Sequence, residues 1–227
     1  MIGLLYDIHG NAAALDAVLG DAEDQGVEKF ILGGDYTLFG PRPAETLEIL
    51  QSLDAEWIRG NGERWTASPK DAPDDELVQQ AVEACRKLIG KAAAKELGEL
   101  PECAVHDGTR YCHGSPVSDV RSFLPQPAED EPELLEGVKE SRLVFGHTHV
   151  PFNRTNGNGI ELVNPGSVGM PFDGDRRAAY GLLHHDGHIE QRRVAYRHQE
   201  AAAEVRERLG PWAGVLAQRI GRARYDV

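Results

Sequence analysis

The chain is poor in cysteine and in positive charge, and it has no long apolar run. Its three cysteines, Cys85, Cys103 and Cys112, include no Cys-x-x-Cys pair. An odd number without that spacing fits a reduced, cytoplasmic protein rather than a disulfide framework. No stretch approaches the roughly 20 apolar residues needed to cross a bilayer. Asp7 interrupts the first apolar run, so no secretory signal opens the chain. Lys and Arg number 24 against 37 Asp and Glu, for a net charge of −13. A protein that holds nucleic acid through its phosphates needs the opposite sign, so that partner is not expected. The arginines near the C-terminus (Arg206, Arg208, Arg219, Arg222, Arg224) alternate with Glu204, Glu207 and Asp226 and read as a solvated helical face. An acidic chain still binds an anion where divalent cations reverse the local potential. No repeat of 20 to 50 residues is visible.

What is present reads as a globular protein, with 41% hydrophobic and 27% charged residues. The first third alternates strands with helices. Residues 2–6 predict a strand, and 11–26 a helix opened by Asn11 and stopped by Gly26. Residues 29–34 predict a second strand, 42–53 a helix with Pro43 near its start, and 56–60 a third strand. That rhythm implies a mainly parallel, covered sheet. A polar stretch, 66–75, and a helix-forming one, 76–99, predict a helical insertion over 66–99 that caps the sheet. Strands return at 103–106, 109–113 and 142–146, with a short helix within 129–140. Residues 160–169 read as a strand running into a turn, and 178–196 as a hairpin around Asp186-Gly187. Helices over 198–209 and 212–223 close the chain, and all of 1–227 is expected to form one domain.

Polar residues stand where the predicted strands end: Asp7 and His9, Asp35, Asn61, His113, then His147 and His149. In an open α/β sheet, ligands bind beyond the carboxyl ends of the strands, so these side chains can converge. Glycines 10, 34, 60, 114 and 146 let the backbone turn there. Nitrogen and oxygen ligands without thiolate suit Mn, Fe, Zn, Ni or Co. Seven are too many for one tetrahedral ion and suit two ions that share a carboxylate. Any one block alone is better read as a cap or a turn; the ordered set is not.

Taken together, "DIHGN", "GGDYTLFGP", "RGNGE", "CHGS", "GHTHVPF" and "NPGS" resemble the calcineurin-like metallophosphoesterases, most nearly their small bacterial phosphodiesterase-like branch, over residues 2 to about 182. The resemblance implies a four-layer α-β-β-α sandwich of two mixed sheets, with the helical insertion added. It implies that Asp7, His9 and His149 hold one divalent ion, that Asn61, His113 and His147 hold a second, and that Asp35 bridges them. It implies hydrolysis of a phosphodiester or small phosphorylated metabolite by attack of a metal-bridging hydroxide in line with the leaving oxygen.

Two departures stand out. Much of the family resembles Gly-Asn-His-Asp or Gly-Asn-His-Glu where this chain has "GNGE". The family histidine serves the leaving oxygen; Gly62 cannot, so the catalytic acid is unidentified. Glu63 is a substitute candidate, beside its simpler readings as a helix cap or an Arg64 partner. The protein-phosphatase pattern Gly-Asp-x-Val-Asp-Arg-Gly is absent, because Leu38 and Phe39 stand in place of Asp-Arg. Arg176 and Arg177 are candidate phosphate contacts, beside their reading as a solvated loop. "NPGS" reads as a turn or as a wall of the metal site. His184, His185 and His188 read as surface residues. The expected partner is a small phosphate ester, without a membrane, and a homo-oligomer is left open. A metal-binding interaction module of the same fold, with little or no catalysis, is the alternative; the complete ligand set favours the enzyme.

Overall fold

The computed structural model describes residues 1–227. In chain order the elements are β1 (Ile2–Leu5), α1 (Ala12–Asp24), β2 (Lys29–Leu32), α2 (Pro43–Gln51), β3 (Ala55–Trp57), α3 (Asn61–Ala67), α4 (Glu76–Ile89) and α5 (Lys91–Gly98). There follow β4 (Cys103–His106), β5 (Thr109–Cys112), α6 (Glu131–Leu134), β6 (Arg142–Val144), β7 (Phe152–Thr155) and β8 (Glu161–Asn164). The last are β9 (Ala178–Leu183), β10 (Ile189–Val194), α7 (His198–Leu209) and α8 (Gly214–Arg222). One sheet runs β10-β9-β1-β2-β3 and the other β4-β5-β6-β8-β7. β1, β2 and β3 are parallel, as are β5, β6 and β8, while β9, β10, β4 and β7 pair antiparallel at the flanks.

The layers follow from alternation along each strand. Leu4 and Ile31 meet Tyr111, Val144 and Val163 between the sheets. Their neighbours Leu5 and Leu32 face the other way, onto Leu15 and Val18 of α1 and Leu47 and Leu50 of α2. On the second sheet Leu143 and Leu162 turn outward to Phe123, Phe145 and Leu134. Each fully buried leucine contributes about 1.5–3 kcal/mol. The result is the α-β-β-α sandwich, with a thin outer layer over the second sheet. α6 spans only Glu131–Leu134, shorter than the expected 129–140, because Gly137 at φ 76° turns the chain away.

Three other boundaries differ from expectation. β3 ends at Trp57, and "GNGE" opens α3 instead of forming a loop. Helix α3 continues to Ala67, into the stretch read as linker, because Trp65 packs against Leu38. β7 was not anticipated. It pairs antiparallel with β8 and buries only Phe152.

The helical insertion is fastened to the sheet. Ala81, Val82 and Cys85 of α4 pack on Leu38 and Trp65, Leu97 of α5 joins the cluster of Leu47 and Leu50, and Arg86 donates to the Thr66 and Ala67 carbonyls. Helices α7 and α8 bury Val205, Leu216 and Ile220 together with Met170, with Phe39 and Phe172 at the edge. No helix is long and apolar enough to cross a membrane.

Candidate metal centre

All seven candidate residues gather beyond the carboxyl ends of the parallel strands. Asp7 and His9 follow β1, Asp35 follows β2, His113 follows β5, and His147 and His149 follow β6; Asn61 is the first residue of α3. All are buried except His147, which is partly exposed. Asp7, His9, Asp35, His147 and His149 have φ between 51° and 67°. A left-handed non-glycine residue costs on the order of 1–3 kcal/mol and persists only where its surroundings enforce it. The strained turns thus fall on the candidate ligands themselves. Of the five glycines expected to supply them, only Gly10 and Gly34 have positive φ. Gly146 is needed for clearance: a Cβ there would lie 2.5 Å from Asp7 Oδ2.

The "NPGS" turn enforces these conformations. Ser167 Oγ donates to the Asp7 carbonyl at 2.7 Å and accepts from the Met170 nitrogen at 2.8 Å. The Met170 carbonyl in turn accepts from His149 Nδ1 at 2.6 Å. Asn164 Nδ2 donates to the Gly146 carbonyl and to Thr148 Oγ1, each at 3.0 Å. The turn is therefore a clamp behind two ligand loops.

The inward-facing atoms of His9, His149 and Asp7 have no adequate partner except a cation. His9 Nδ1 donates to the Leu38 carbonyl at 2.9 Å and His149 Nδ1 to Met170, so each neutral ring turns an Nε2 lone pair inward. Those two Nε2 atoms face each other at 3.0 Å. Asp7 Oδ1, buried without a hydrogen bond, lies 3.4 Å from one and 3.9 Å from the other. The ligand atoms of Asp7, His9 and His149 lie within 4.8 Å of one another, as do those of Asp7, Asp35 and His113. In the second set, His113 Nδ1 donates to the Gly33 carbonyl. His113 Nε2 and His147 Nδ1 then meet the Asn61 side-chain amide at 3.0 and 2.9 Å. With its nitrogen inward, the amide has His113 Nε2, His147 Nδ1 and the Asp119 carbonyl within reach, three acceptors for two N–H groups. With a cation between the rings, its oxygen takes that place as a ligand. The residues therefore fit a divalent metal centre.

Burial, then the charge of His149, pushes His9 down to about 4, and burial, then the charge of His113, does the same to His147. Both rings are neutral near pH 7, the state that ligates. Burial would lower His113 too, but Asp35 and Asp7 raise it above its ordinary value. Burial would raise Asp7; the imidazoles, led by His149, hold it well below the carboxylate range. The His147 backbone N–H that binds Asp7 Oδ2 at 3.0 Å favours the same charged form.

Glu63 is fully buried and accepts from the backbone nitrogens of Asp35, Tyr36 and Gly60 at 2.8, 2.8 and 2.9 Å. Burial and the charge of Asp35 push its carboxyl up to about 7, against those three bonds. Its place is a clamp on the Asp35 loop; the Arg64 guanidinium pairs with Asp119 instead. Gly62 donates its N–H to Asp35 Oδ1 at 2.6 Å. Arg177 is committed to Asp175, whereas Arg176 is exposed and forms no ion pair.

Residues 1–188 match the Calcineurin-like phosphoesterase superfamily domain. The chain belongs to that superfamily. It is a metal-dependent phosphoesterase of the small, phosphodiesterase-like bacterial kind. Phosphodiesterase YfcE of Escherichia coli K12 is 26% identical over 82% of this chain and 89% of its own. Protein MJ0912 of Methanocaldococcus jannaschii is 30% identical over 94% and 96%. The crystal structure of a metallophosphoesterase from Sphaerobacter thermophilus superposes with a TM-score of 0.83 at 26% identity over 98% of each chain. Protein PH1004 of Pyrococcus horikoshii OT3 shares the fold, with a TM-score of 0.82 at 22% identity over 98% of this chain and all of its own.

Proposed function

We propose that this superfamily member hydrolyses a phosphodiester or small phosphorylated metabolite at a centre of two divalent cations. The carrying observation is the pair of facing Nε2 atoms of His9 and His149 beside the partnerless Asp7 Oδ1. Asp7, His9 and His149 would hold one cation, and Asn61, His113 and His147 the other. Asp35 would be shared, since its Oδ2 lies 3.8 Å from His9 Nε2 and its Oδ1 3.6 Å from His113 Nε2. When bound, two such cations neutralise a phosphate ester and lower the pKa of a water.

The chain's own residues preset that chemistry. His9, His113 and His149 each anchor Nδ1 on a carbonyl, which fixes the tautomer and aims Nε2 inward. The His147 N–H holds one Asp7 oxygen and leaves the other free. With Gly62 at the histidine position and Glu63 engaged by backbone, neither supplies a proton to the leaving oxygen, which departs with one from solvent.

Metal analysis of Mn²⁺-loaded protein, with turnover of bis-p-nitrophenyl phosphate, tests the proposal. Two ions per chain and steady hydrolysis are expected. Asp35→Asn should lose both ions, and His113→Ala mainly one. Full occupancy in Asp35→Asn would remove Asp35 from its shared position. Loaded protein that leaves both aryl diesters and monoesters intact would reverse the proposal.

A further inference from the structure

The spacing of acids and bases near the C-terminus predicts a solvated helical face, but part of that stretch stands at the metal centre. The ring of Phe172 stacks on His149 with centroids 4.3 Å apart and planes at 15°. Tyr225 meets Phe172 edge-on at 5.4 Å, and the Arg219 guanidinium lies 4.1 Å over Tyr225. The Gly174 N–H donates to the Ala223 carbonyl at 2.9 Å, which ties the C-terminal segment to the loop after Phe172. A Cβ at Gly174 would lie 3.9 Å from an Arg224 nitrogen, so Arg224 reaches the same loop.

The charges there are uncompensated. Most arginines of this acidic chain pair with a carboxylate; Arg86, Arg176, Arg206, Arg219, Arg222 and Arg224 do not, and of these Arg219 and Arg224 stand at the rim. Arg219 spends only its Nε, on the Tyr225 carbonyl. The loop's own acids are already taken, Asp173 by Arg193 and Asp175 by Arg177, which leaves Asp226 as the unpaired acid of the segment. Tyr225 is 62% exposed, so a ligand can reach the rim. The C-terminal members of the rim lie beyond residues 1–188 that match the superfamily domain.

We propose that Arg219 and Arg224 form a subsite for a second phosphate on the substrate, and that Phe172 and Tyr225 line the path to it. The subsite rests on the phosphoesterase reading above. Arg219 stands three ring contacts out from His149. A phosphate joined directly to the scissile one is too short to span that. A phosphate across a nucleoside reaches further, and the aromatic edges suit its base. A guanidinium binds phosphate through paired N–H donors, which a lysine cannot reproduce.

Two p-nitrophenyl esters of thymidine 5′-phosphate, with and without a 3′-phosphate, isolate the subsite, because the leaving group is the same. The 3′-phosphate should raise kcat/KM by about tenfold or more, the worth of one charge-assisted contact. In Arg219→Gln/Arg224→Gln that ratio should fall to near one. Thymidine 3′,5′-bisphosphate titrated calorimetrically into chelator-treated protein gives a readout without turnover. Its Kd should rise about tenfold in the double variant. Circular dichroism checks the fold, and Arg224→Gln alone, away from the Tyr225 contact, should give a partial loss of the ratio. A ratio of one in the parent protein, or one that survives both substitutions, overturns the subsite. If the parent cleaves neither ester, the phosphoesterase reading falls and the calorimetric comparison alone decides the rim: equal Kd values overturn it.

Discussion

Glu63 Oε2 accepts a hydrogen bond from the backbone nitrogen of Asp35 at 2.8 Å, so a side chain on α3 fixes the loop that carries the Asp35 carboxylate. The other oxygen takes the Tyr36 N–H. Glu63→Gln can keep one oxygen on Asp35 and Gly60 but turns an amide NH₂ toward Tyr36. A buried donor left unsatisfied costs about 1–3 kcal/mol. Urea unfolding of chelated protein should show that loss, with turnover of aryl and alkyl esters reduced alike. An unchanged midpoint with selective loss of alkyl-ester turnover would make Glu63 the missing acid.

The histidines predict how the metal-free protein responds to acid. His9 and His147 titrate near 4 when folded and near 6.5 when unfolded. Between those values the unfolded chain holds more protons, so stability is complete above about 6.5 and is lost as pH falls toward 4. His113 has the opposite sign, because its folded value is raised and its contribution fades as pH rises. Each of the two lowered rings costs about 2 kcal/mol between pH 7 and 5, while His113 and Glu63, whose folded carboxyl is raised to about 7, act in the opposite direction. With the Glu63 contribution removed by Glu63→Gln, urea midpoints measured in chelator should fall across that range; a flat profile in that variant would contradict the burial of these rings as neutral groups.

Much of this was legible in the sequence wherever the signal is local. Asn11 caps α1 through its side chain, Asp186-Gly187 turns the β9–β10 hairpin with Gly187 at φ 86°, and α7 begins and ends where its pattern does. The candidate ligands were legible because each follows an apolar strand core. β7 was not: Phe152-Asn153-Arg154-Thr155 carries one buried residue and is a strand only because β8 lies beside it. The clamp formed by Ser167 joins residues 160 positions apart, and no spacing rule reaches that far. Arg219 and Arg224 looked solvated because the loop they face is remote in sequence.

Clearance at Gly146 should separate binding from folding. A Cβ there meets Asp7 Oδ2 at 2.5 Å and Tyr6 Cδ1 at 2.7 Å. Gly146→Ala should displace Asp7 and break its bond from the His147 N–H. Disturbing a partner of a metal ligand typically weakens affinity by about 10–100-fold, while overpacking costs about 1–3 kcal/mol of stability. Metal content after dialysis should drop sharply in a protein that still unfolds cooperatively. Full metal retention would show that Asp7 is not a ligand.

Gly62 sets the last expectation. Its N–H bonds Asp35 Oδ1, and it offers no side chain to a leaving oxygen. A missing general acid typically costs about 10²–10⁴ in rate, least when the leaving group is already a good one. Across esters with leaving groups of graded pKa, kcat/KM should therefore fall steeply, with aryl far ahead of alkyl, and activity should persist at alkaline pH because no histidine must stay protonated. Installing the family's histidine is not a simple repair. A Cβ at position 62 would lie 2.8 Å from Asp35 Oδ1 and 3.4 Å from Leu38 Cβ. Gly62→His must shift the Asp35 carboxylate to fit, so it should lower metal content before it flattens the leaving-group dependence. Measuring both in the same preparations separates the effects. A shallow dependence in the unmodified protein would mean that another group already protonates the leaving oxygen, and its pKa would appear as the basic limb of the pH profile.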